Sequence, residues 1–413
     1  MQASLFPELE SFVEPCEGWD DFHAQLRASD EFGTPTQCEN WKYDGGEVAV
    51  YQNEFWTSKQ RACHSLHEVS YRACFKPQVP RFFIERLTAP GDAVFDPFMG
   101  RGTTPIEAAL LGRRALGSDL NPVAQTLASP RVAPPTLAQI EARLQTVILP
   151  IAPIENEELL VFFERATLLE LEAWTRYFSA QRTSGDFDKV DEWLEMVAAN
   201  RLTGHSPGFF SVYTMPPNQA VSLASQRKIN AKRAQAPAYR DTRRLIERKS
   251  RQLLRDEIYV YDLQHRIWTG AADEVNLPDE SVELIVTSPP FLDVVDYKQD
   301  NWLRAWFCGH DLQPLELWQT RDLAQWRAWM NGAFTAWHRV LKVGGALCFE
   351  VGEIAARKVS LEREAVQISA NVGFAVECVV INRQNFTKTA HLWGVTNGAR
   401  GTNSNRVVVL RKN

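Results

Sequence analysis

A short apolar strand that runs directly into a two-glycine loop and then a helix constrains this chain more than any other feature. Ala93-Val94-Phe95 ends at Asp96-Pro97, Gly100-Arg101-Gly102-Thr103-Thr104 follows, and Ile106, Ala109 and Leu110 then recur at helical spacing. Gly112 closes that helix, Ala115-Leu116-Gly117 opens a second strand, and Asp119 stands at its end before Asn121-Pro122. The unit predicts a βαβ crossover in a parallel sheet, and such sheets bind ligands beyond the carboxyl ends of their strands, where loop amides and helix N-termini lack partners. Gly100 and Gly102 permit a tight turn and a close approach to a ligand, while Phe98 offers an apolar wall. Asp119 stands where a carboxylate accepts hydrogen bonds from both ribose hydroxyls, so a nucleoside ligand is expected. By itself, a two-glycine loop equally serves as a plain strand-to-helix turn. No Lys-Ser or Lys-Thr pair follows the second glycine, which argues against a Walker phosphate loop, and the third glycine of a dinucleotide fingerprint is missing.

A second corner of the same kind follows the apolar run Val282-Glu283-Leu284-Ile285-Val286. Thr287-Ser288-Pro289-Pro290-Phe291 therefore also falls at the ligand-binding end of the sheet. Two adjacent prolines fix φ and remove two N–H donors, which leaves a rigid corner rich in acceptors. That suits an exocyclic amino group, whose lone pair is delocalised into its ring. The Ser288 hydroxyl and the Pro289 carbonyl would hold the amino hydrogens and favour a pyramidal nitrogen, and Phe291 would stack on an extruded base. The plainer alternative is a Pro-Pro turn beside an incidental aromatic.

With 413 residues, 45% hydrophobic and 23% charged, the chain is enzyme-sized and of ordinary globular composition. A formal net charge of −6 argues against a surface that coats polyanions throughout, yet leaves room for a local basic face. Seven cysteines without a C-x-x-C pair fit a reducing cytoplasm. Cys63-His64, His67 and Cys74 match no standard zinc spacing, so no metal is expected. Neither an export signal nor a bilayer-spanning apolar run is evident, which predicts a soluble cytoplasmic protein without a membrane partner.

Strand patterns return at Ala346 to Val351, Phe374 to Ile381 and Arg406 to Leu410, extending the parallel-sheet reading to the C-terminus. The expected fold is α/β, a doubly wound, mostly parallel Rossmann-like sheet with a helical insertion. Residues 1–60 read as an irregular lead-in, 61–130 and 265–413 as the sheet domain, and 131–264 as the insertion.

At this point the sequence resembles the DNA amino-methyltransferase family, which modifies N6 of adenine or N4 of cytosine. Asp96-Pro97-Phe98-Met99-Gly100-Arg101-Gly102-Thr103-Thr104 is similar to the family's cofactor motif. Ser288-Pro289-Pro290-Phe291 resembles its catalytic motif in the serine form associated with cytosine N4. His64 through Pro77, with Phe75-Lys76-Pro77, is similar to the segment that precedes the cofactor motif and helps bind the methionine end. Here the cofactor motif precedes the catalytic one, whereas many cytosine-N4 members run the other way. The resemblance implies S-adenosylmethionine as cofactor, held by Lys76, Pro77, Asp96, Pro97, Phe98, Gly100, Gly102 and Thr103, with Asp119 on the ribose. Relatives usually place an acid directly after the glycine of Gly270-Ala271-Ala272-Asp273, and Asp273 is expected to substitute for it at the adenine. Ser288, Pro289, Pro290 and Phe291 would handle the target base.

The implied function is sequence-specific methylation of double-stranded DNA, at cytosine N4, in a restriction-modification setting, where a cognate restriction endonuclease is a candidate partner whose existence the sequence leaves open. Adenine N6 or an RNA base is the nearest alternative, and a non-catalytic nucleic-acid-binding protein is the alternative of another class. Target recognition is expected in the insertion, where eleven cations from Arg227 to Arg255 stand against Asp241 and Glu247. Of these, Arg227, Lys228, Lys232, Arg233, Arg243 and Arg244 are the expected phosphate contacts, against the simpler reading of a solvated helix face. Upstream, Phe209, Phe210, Tyr213, Pro216, Pro217 and Asn218 suit either a base-reading loop or packing.

Overall fold

Among the described residues nine strands form a single sheet in the order β1-β2-β8-β9-β7-β6-β3-β4-β5. They are β1 (Gln37–Tyr43), β2 (Gly46–Asn53), β3 (Ala93–Asp96), β4 (Arg114–Asp119), β5 (Arg266–Thr269), β6 (Val282–Thr287), β7 (Leu341–Val351), β8 (Phe374–Arg383) and β9 (Ser404–Lys412). The structure is a computed structural model that describes residues 15–56, 63–72, 74–215, 219–259, 261, 263–292, 295–352, 359–383 and 404–413. Pro216, Pro217 and Asn218 lie outside the described residues.

From β3 the chain winds outward through β4 to β5, then crosses back to β6 and β7, all with parallel pairing. The doubly wound α/β reading holds, and the winding reverses between β3 and β6, where such sheets open their ligand crevice. The C-terminal strand departs from the expected parallel run. β9 inserts between β7 and β8 and pairs antiparallel to both, because it turns back beside the strand that precedes it instead of crossing over the sheet first.

The N-terminal region is a further correction. Residues expected to be irregular form helix α1 (Trp19–Ala28) and the β1/β2 hairpin, whose turn is Asp44-Gly45, and β2 extends the sheet parallel to β8. Exposed polar residues on β1 obscure its period, whereas β2 is buried at Val48, Val50, Tyr51 and Asn53.

Between β3 and β4 runs α3 (Thr103–Leu110), preceded by α2 (Gln78–Leu87) and followed by α4 (Pro122–Val132). Then come α5 (Leu137–Thr146), α6 (Arg165–Ser184), α7 (Lys189–Arg201), α8 (Leu223–Arg233) and α9 (Thr242–Leu253) before β5. The remaining helices described are α10 (Tyr297–Cys308), α11 (Leu323–Val340) and α12 (Leu361–Val372). Because strand side chains alternate, Val94, Val286, Cys348 and Val409 enter one core with the helices of the first half and α10. Phe95, Ile285, Leu347, Phe349 and Val408 enter the other with α11 and α12. There Phe334, Trp337 and Phe349 are fully buried, each stabilising the sheet face by roughly 1.5–3 kcal/mol. Among the described residues no helix is long and apolar enough to cross a membrane.

Candidate active site

The β3 corner is held from beneath by Asp96. Its Oδ1 accepts hydrogen bonds from the Phe98 amide at 3.0 Å and the Thr287 hydroxyl at 2.7 Å, tying the first predicted corner to the second. Burial pushes the Asp96 carboxyl up to about 7. It is almost completely enclosed and does not line the cavity above it, so it acts on the corner and not on a ligand.

That cavity lies over the β3 and β4 ends, and its walls include Tyr71, Phe98, Gly100, Asp119 and Ser288. Asp119 accepts the amides of Gly100 and Asn121, each at 2.9 Å, and burial raises its carboxyl to about 6. Gly100 adopts φ +50° to bring its N–H to this carboxylate. Gly102 serves packing instead: at φ +83° it starts α3, and a Cβ there would stand 2.6 Å from the Ala128 methyl. Thr103 is buried in the first turn of α3. Pro97 lines the cavity, whereas Gly102 and Thr103 do not.

Ala271 and Ala272 form part of the wall, but Asp273 does not. Its side chain is exposed and faces Gly332 of α11, so the expected substitution for an adenine-binding acid does not occur in this conformation. Lys76 and Pro77 are likewise away from the cavity, Pro77 capping α2. The residues just before them, Cys74 and Phe75, border a second cavity.

The second cavity is bounded by Phe75, Pro289, Phe291, Gln319, Glu350 and Asn405 as well. Ser288, Pro290 and Tyr297 line both cavities, so the Ser-Pro-Pro corner is their common wall. Pro290 is fixed by the Trp326 indole, which donates to its carbonyl at 3.1 Å. The Ser288 hydroxyl donates to Glu350 Oε2 at 2.5 Å, and Asn405 donates to Glu350 Oε1 at 3.0 Å. Burial raises the Glu350 carboxyl above its ordinary value, with the two hydrogen bonds opposing. Tyr71 and Tyr297 stack at 6.4 Å beside the corner. Glu350 and Asn405 were not anticipated; the one signal was an acid inside the apolar strand run Ala346 to Val351.

The predicted basic stripe divides in two. On α8, Arg227, Lys228 and Lys232 are exposed, and Arg233 lies over the Tyr213 ring at 3.8 Å. On α9, Arg244 is exposed, but Arg243 is half-buried and donates to the Leu144 and Val147 carbonyls, holding the end of α5. Further along α9, Lys249 pairs with Glu68 and Arg251 with Glu141 and Glu247. His67, from the sequence cluster of histidines and cysteines, meets Glu107 at 2.6 Å.

Comparison with known proteins gives a family match to "DNA methylase" of the N6/N4 type over residues 33–129, which runs from before β1 to α4. Type II methyltransferase M.MjaVI of Methanocaldococcus jannaschii is 31% identical over 125 residues, 29% of this chain and 54% of that protein. Type II methyltransferase M.BsoBI of Geobacillus stearothermophilus is 28% identical over 87 residues, 21% of this chain and 17% of that protein. Both matches therefore span less than two thirds of the relative. A solved SAM-dependent methyltransferase of Methanosarcina mazei aligns over 82% of this chain and 99% of its own at 11% identity, with a TM-score of 0.33. By the family match over the first corner and these two relatives, the chain is similar to the DNA amino-methyltransferase family over its cofactor-motif region.

Proposed function

We propose that the chain transfers a methyl group from S-adenosylmethionine to an exocyclic amino nitrogen of a base in double-stranded DNA, with cytosine N4 as the target. The single observation behind this reading is that Ser288, Pro290 and Tyr297 border both cavities. One cavity suits the cofactor and the other an extruded base, so the two would meet across this wall.

The first cavity fits the cofactor in chemistry. Asp119 is a buried carboxylate short of donors, which ribose hydroxyls supply, and Phe98 and Tyr71 offer aromatic surface. When bound, the cofactor supplies an electrophilic methyl group on a sulfonium. In the second cavity Phe291 stacks on the base. The Ser288 hydroxyl hydrogen is committed to Glu350, so the Ser288 oxygen is left as an acceptor for one amino hydrogen. The Pro289 carbonyl accepts the other, and the nitrogen lone pair then points at the common wall. The nitrogen would lose one proton as its bond to the methyl group replaces the methyl–sulfur bond and a neutral thioether is left, and that proton would pass through Ser288 to Glu350. Residues 131–264 form the target-recognition insertion in this reading, with the α8 cations on the DNA backbone.

The test is incubation with labelled S-adenosylmethionine and duplex DNA of varied sequence, followed by identification of the modified nucleoside. Label on N4-methylcytosine supports the reading. Label confined to adenine or to RNA, or no label with bound cofactor, overturns it.

A further inference from the structure

A cluster of three guanidinium groups, two of them outside the predicted stripe, makes no hydrogen bond to a carboxylate among the described residues. Arg201 ends α7 and lies over the Phe209 ring at 4.0 Å. Its Nε and one terminal nitrogen donate to the Asn200 carbonyl and side-chain oxygen at 3.1 and 2.7 Å. Asn200 in turn reaches the Ser70 carbonyl at 3.4 Å, and Arg304 of α10 donates to that same carbonyl at 2.9 Å. Arg304 also donates to the Asn301 amide oxygen at 2.9 Å and lies over the Tyr71 ring at 6.0 Å. Arg248 of α9 is exposed and extends along the same loop, one of its terminal nitrogens lying 3.3 Å from where a Cβ on Gly208 would be.

Every hydrogen-bond acceptor of this cluster is neutral, and the acid beside Arg304 on α10, Asp300, is already paired with Arg72 at 3.0 Å, so the three guanidiniums together keep an excess of positive charge. Arginine cannot shed that charge. Burial and the neighbouring Arg304 and Arg248 lower the Arg201 guanidinium to about 10, as expected where like charges gather. Glu68, the acid on the Arg201 side, is already engaged by Lys249 at 3.6 Å, Arg255 at 2.6 Å and the Gln252 amide at 2.6 Å. Elsewhere Arg131 is also held by carbonyls alone, but it is sealed in the core as a strut between segments. This cluster differs in gathering three cations and in opening to solvent at Arg248.

Its position relates it to the reaction. Tyr297, Asn301 and Arg304 follow one face of α10, linked by the Asn301 amide donating to the Tyr297 carbonyl at 3.0 Å. Seven residues of helix separate the cavity wall from the cluster by about 10 Å. A strand whose base enters the second cavity brings its neighbouring phosphates within that range.

We infer that Arg201, Arg248 and Arg304 form a binding site for a backbone phosphate of the DNA, next to the nucleotide whose base is extruded. Assigning the phosphate to DNA rests on the function proposed above. The guanidiniums supply charge-assisted, bidentate hydrogen bonds to the phosphate oxygens, and they position the strand without reading its sequence.

The experiment measures binding of a fluorescent DNA duplex as a function of salt for the wild-type chain, Arg248→Ala, and the double variant Arg201→Gln with Arg248→Ala. Arg327→Ala, which breaks an exposed pair with Glu364 on another face, is the control. Each lost phosphate contact should lower the magnitude of the slope of log K against log salt by about 0.9, with S-adenosylmethionine affinity by calorimetry within twofold of wild type. Unchanged slopes overturn the inference, as does a parallel loss of cofactor affinity. Arg248 is exposed, so its variant reports even where the double variant fails to fold. If wild-type protein methylates DNA while the slopes stay put, this inference alone falls. If wild type neither binds nor methylates duplex DNA, the proposed function falls with it.

Discussion

Ser288 donates its hydroxyl hydrogen to the buried carboxylate of Glu350 at 2.5 Å, and this one bond decides what Ser288 can do next. With its hydrogen committed, the serine oxygen faces the second cavity's chemistry as an acceptor. Glu350 is itself held by Asn405, so the geometry comes from two strands, β7 and β9, that are neighbours only in the folded sheet.

Replacing Ser288 by Ala should leave S-adenosylmethionine affinity nearly unchanged and lower the methyl-transfer rate by about 10²-fold or more. Glu350→Gln should also slow transfer, with a signature of its own. Burial raises the Glu350 carboxyl, so the acid limb of the wild-type rate profile should stand above the ordinary carboxylate range, activity falling as pH drops through it. In the Gln variant that limb should vanish. A kcat profile with an identical acid limb in both proteins would remove Glu350 from the reaction.

Asp119 gives a second pH dependence, this time in binding. Its carboxyl is raised to about 6 by burial, and hydroxyl donors from a ribose favour the ionised form. Cofactor affinity should therefore be full above pH 7 and weaken as pH falls below about 6. Asp119→Ala should weaken it by roughly 10- to 100-fold, the range of a charged hydrogen bond, and flatten that dependence. Calorimetric titrations between pH 5 and 8 measure both.

Gly100 and Gly102 should respond differently to alanine. At Gly102, the left-handed backbone and a Cβ 2.6 Å from the Ala128 methyl predict a loss of about 1–3 kcal/mol of stability. At Gly100 the backbone is also left-handed, at φ +50°, so alanine costs some stability there too, but the nearest atom to a new Cβ is a Tyr71 ring carbon at 3.4 Å, so that loss should be smaller than at Gly102 and the larger effect should be on cofactor affinity. Thermal unfolding beside cofactor titration separates the two outcomes, and equal stability losses would contradict the division.

The two halves of the basic stripe should also separate. Lys228→Ala and Lys232→Ala on α8 remove exposed cations and should each lower the magnitude of the salt slope of DNA binding by about 0.9 without moving the melting temperature. Arg243→Ala removes the guanidinium that holds the Leu144 and Val147 carbonyls, so it should destabilise the chain and leave the slope unchanged. A slope change for Arg243 without loss of stability would return it to the interface.

The corners themselves were legible because their chemistry is local. Gly100, Gly102, Pro289 and Pro290 restrict the backbone wherever they stand, and an apolar strand leading into each fixes the end of the sheet on which it falls. The β1/β2 hairpin was also written locally, in Asp44-Gly45, but the exposed polar residues of β1 masked its alternation. Glu350 and Asn405 had no comparable mark, since a lone acid in an apolar strand and an asparagine at a strand start gain meaning only from what they meet.

By itself the amino-acid sequence determined the strand–loop–helix unit, the two rigid corners and the sheet that carries them, because glycine, proline and apolar period act over a few residues. Only the tertiary structure decided that the Ser-Pro-Pro corner forms the common wall of two cavities, that β9 runs antiparallel, that Asp273 faces α11 and that Arg243 props α5. Each of these depends on which distant segment arrives opposite a side chain, and charge and polarity are satisfied by whatever partner the fold brings within hydrogen-bonding distance.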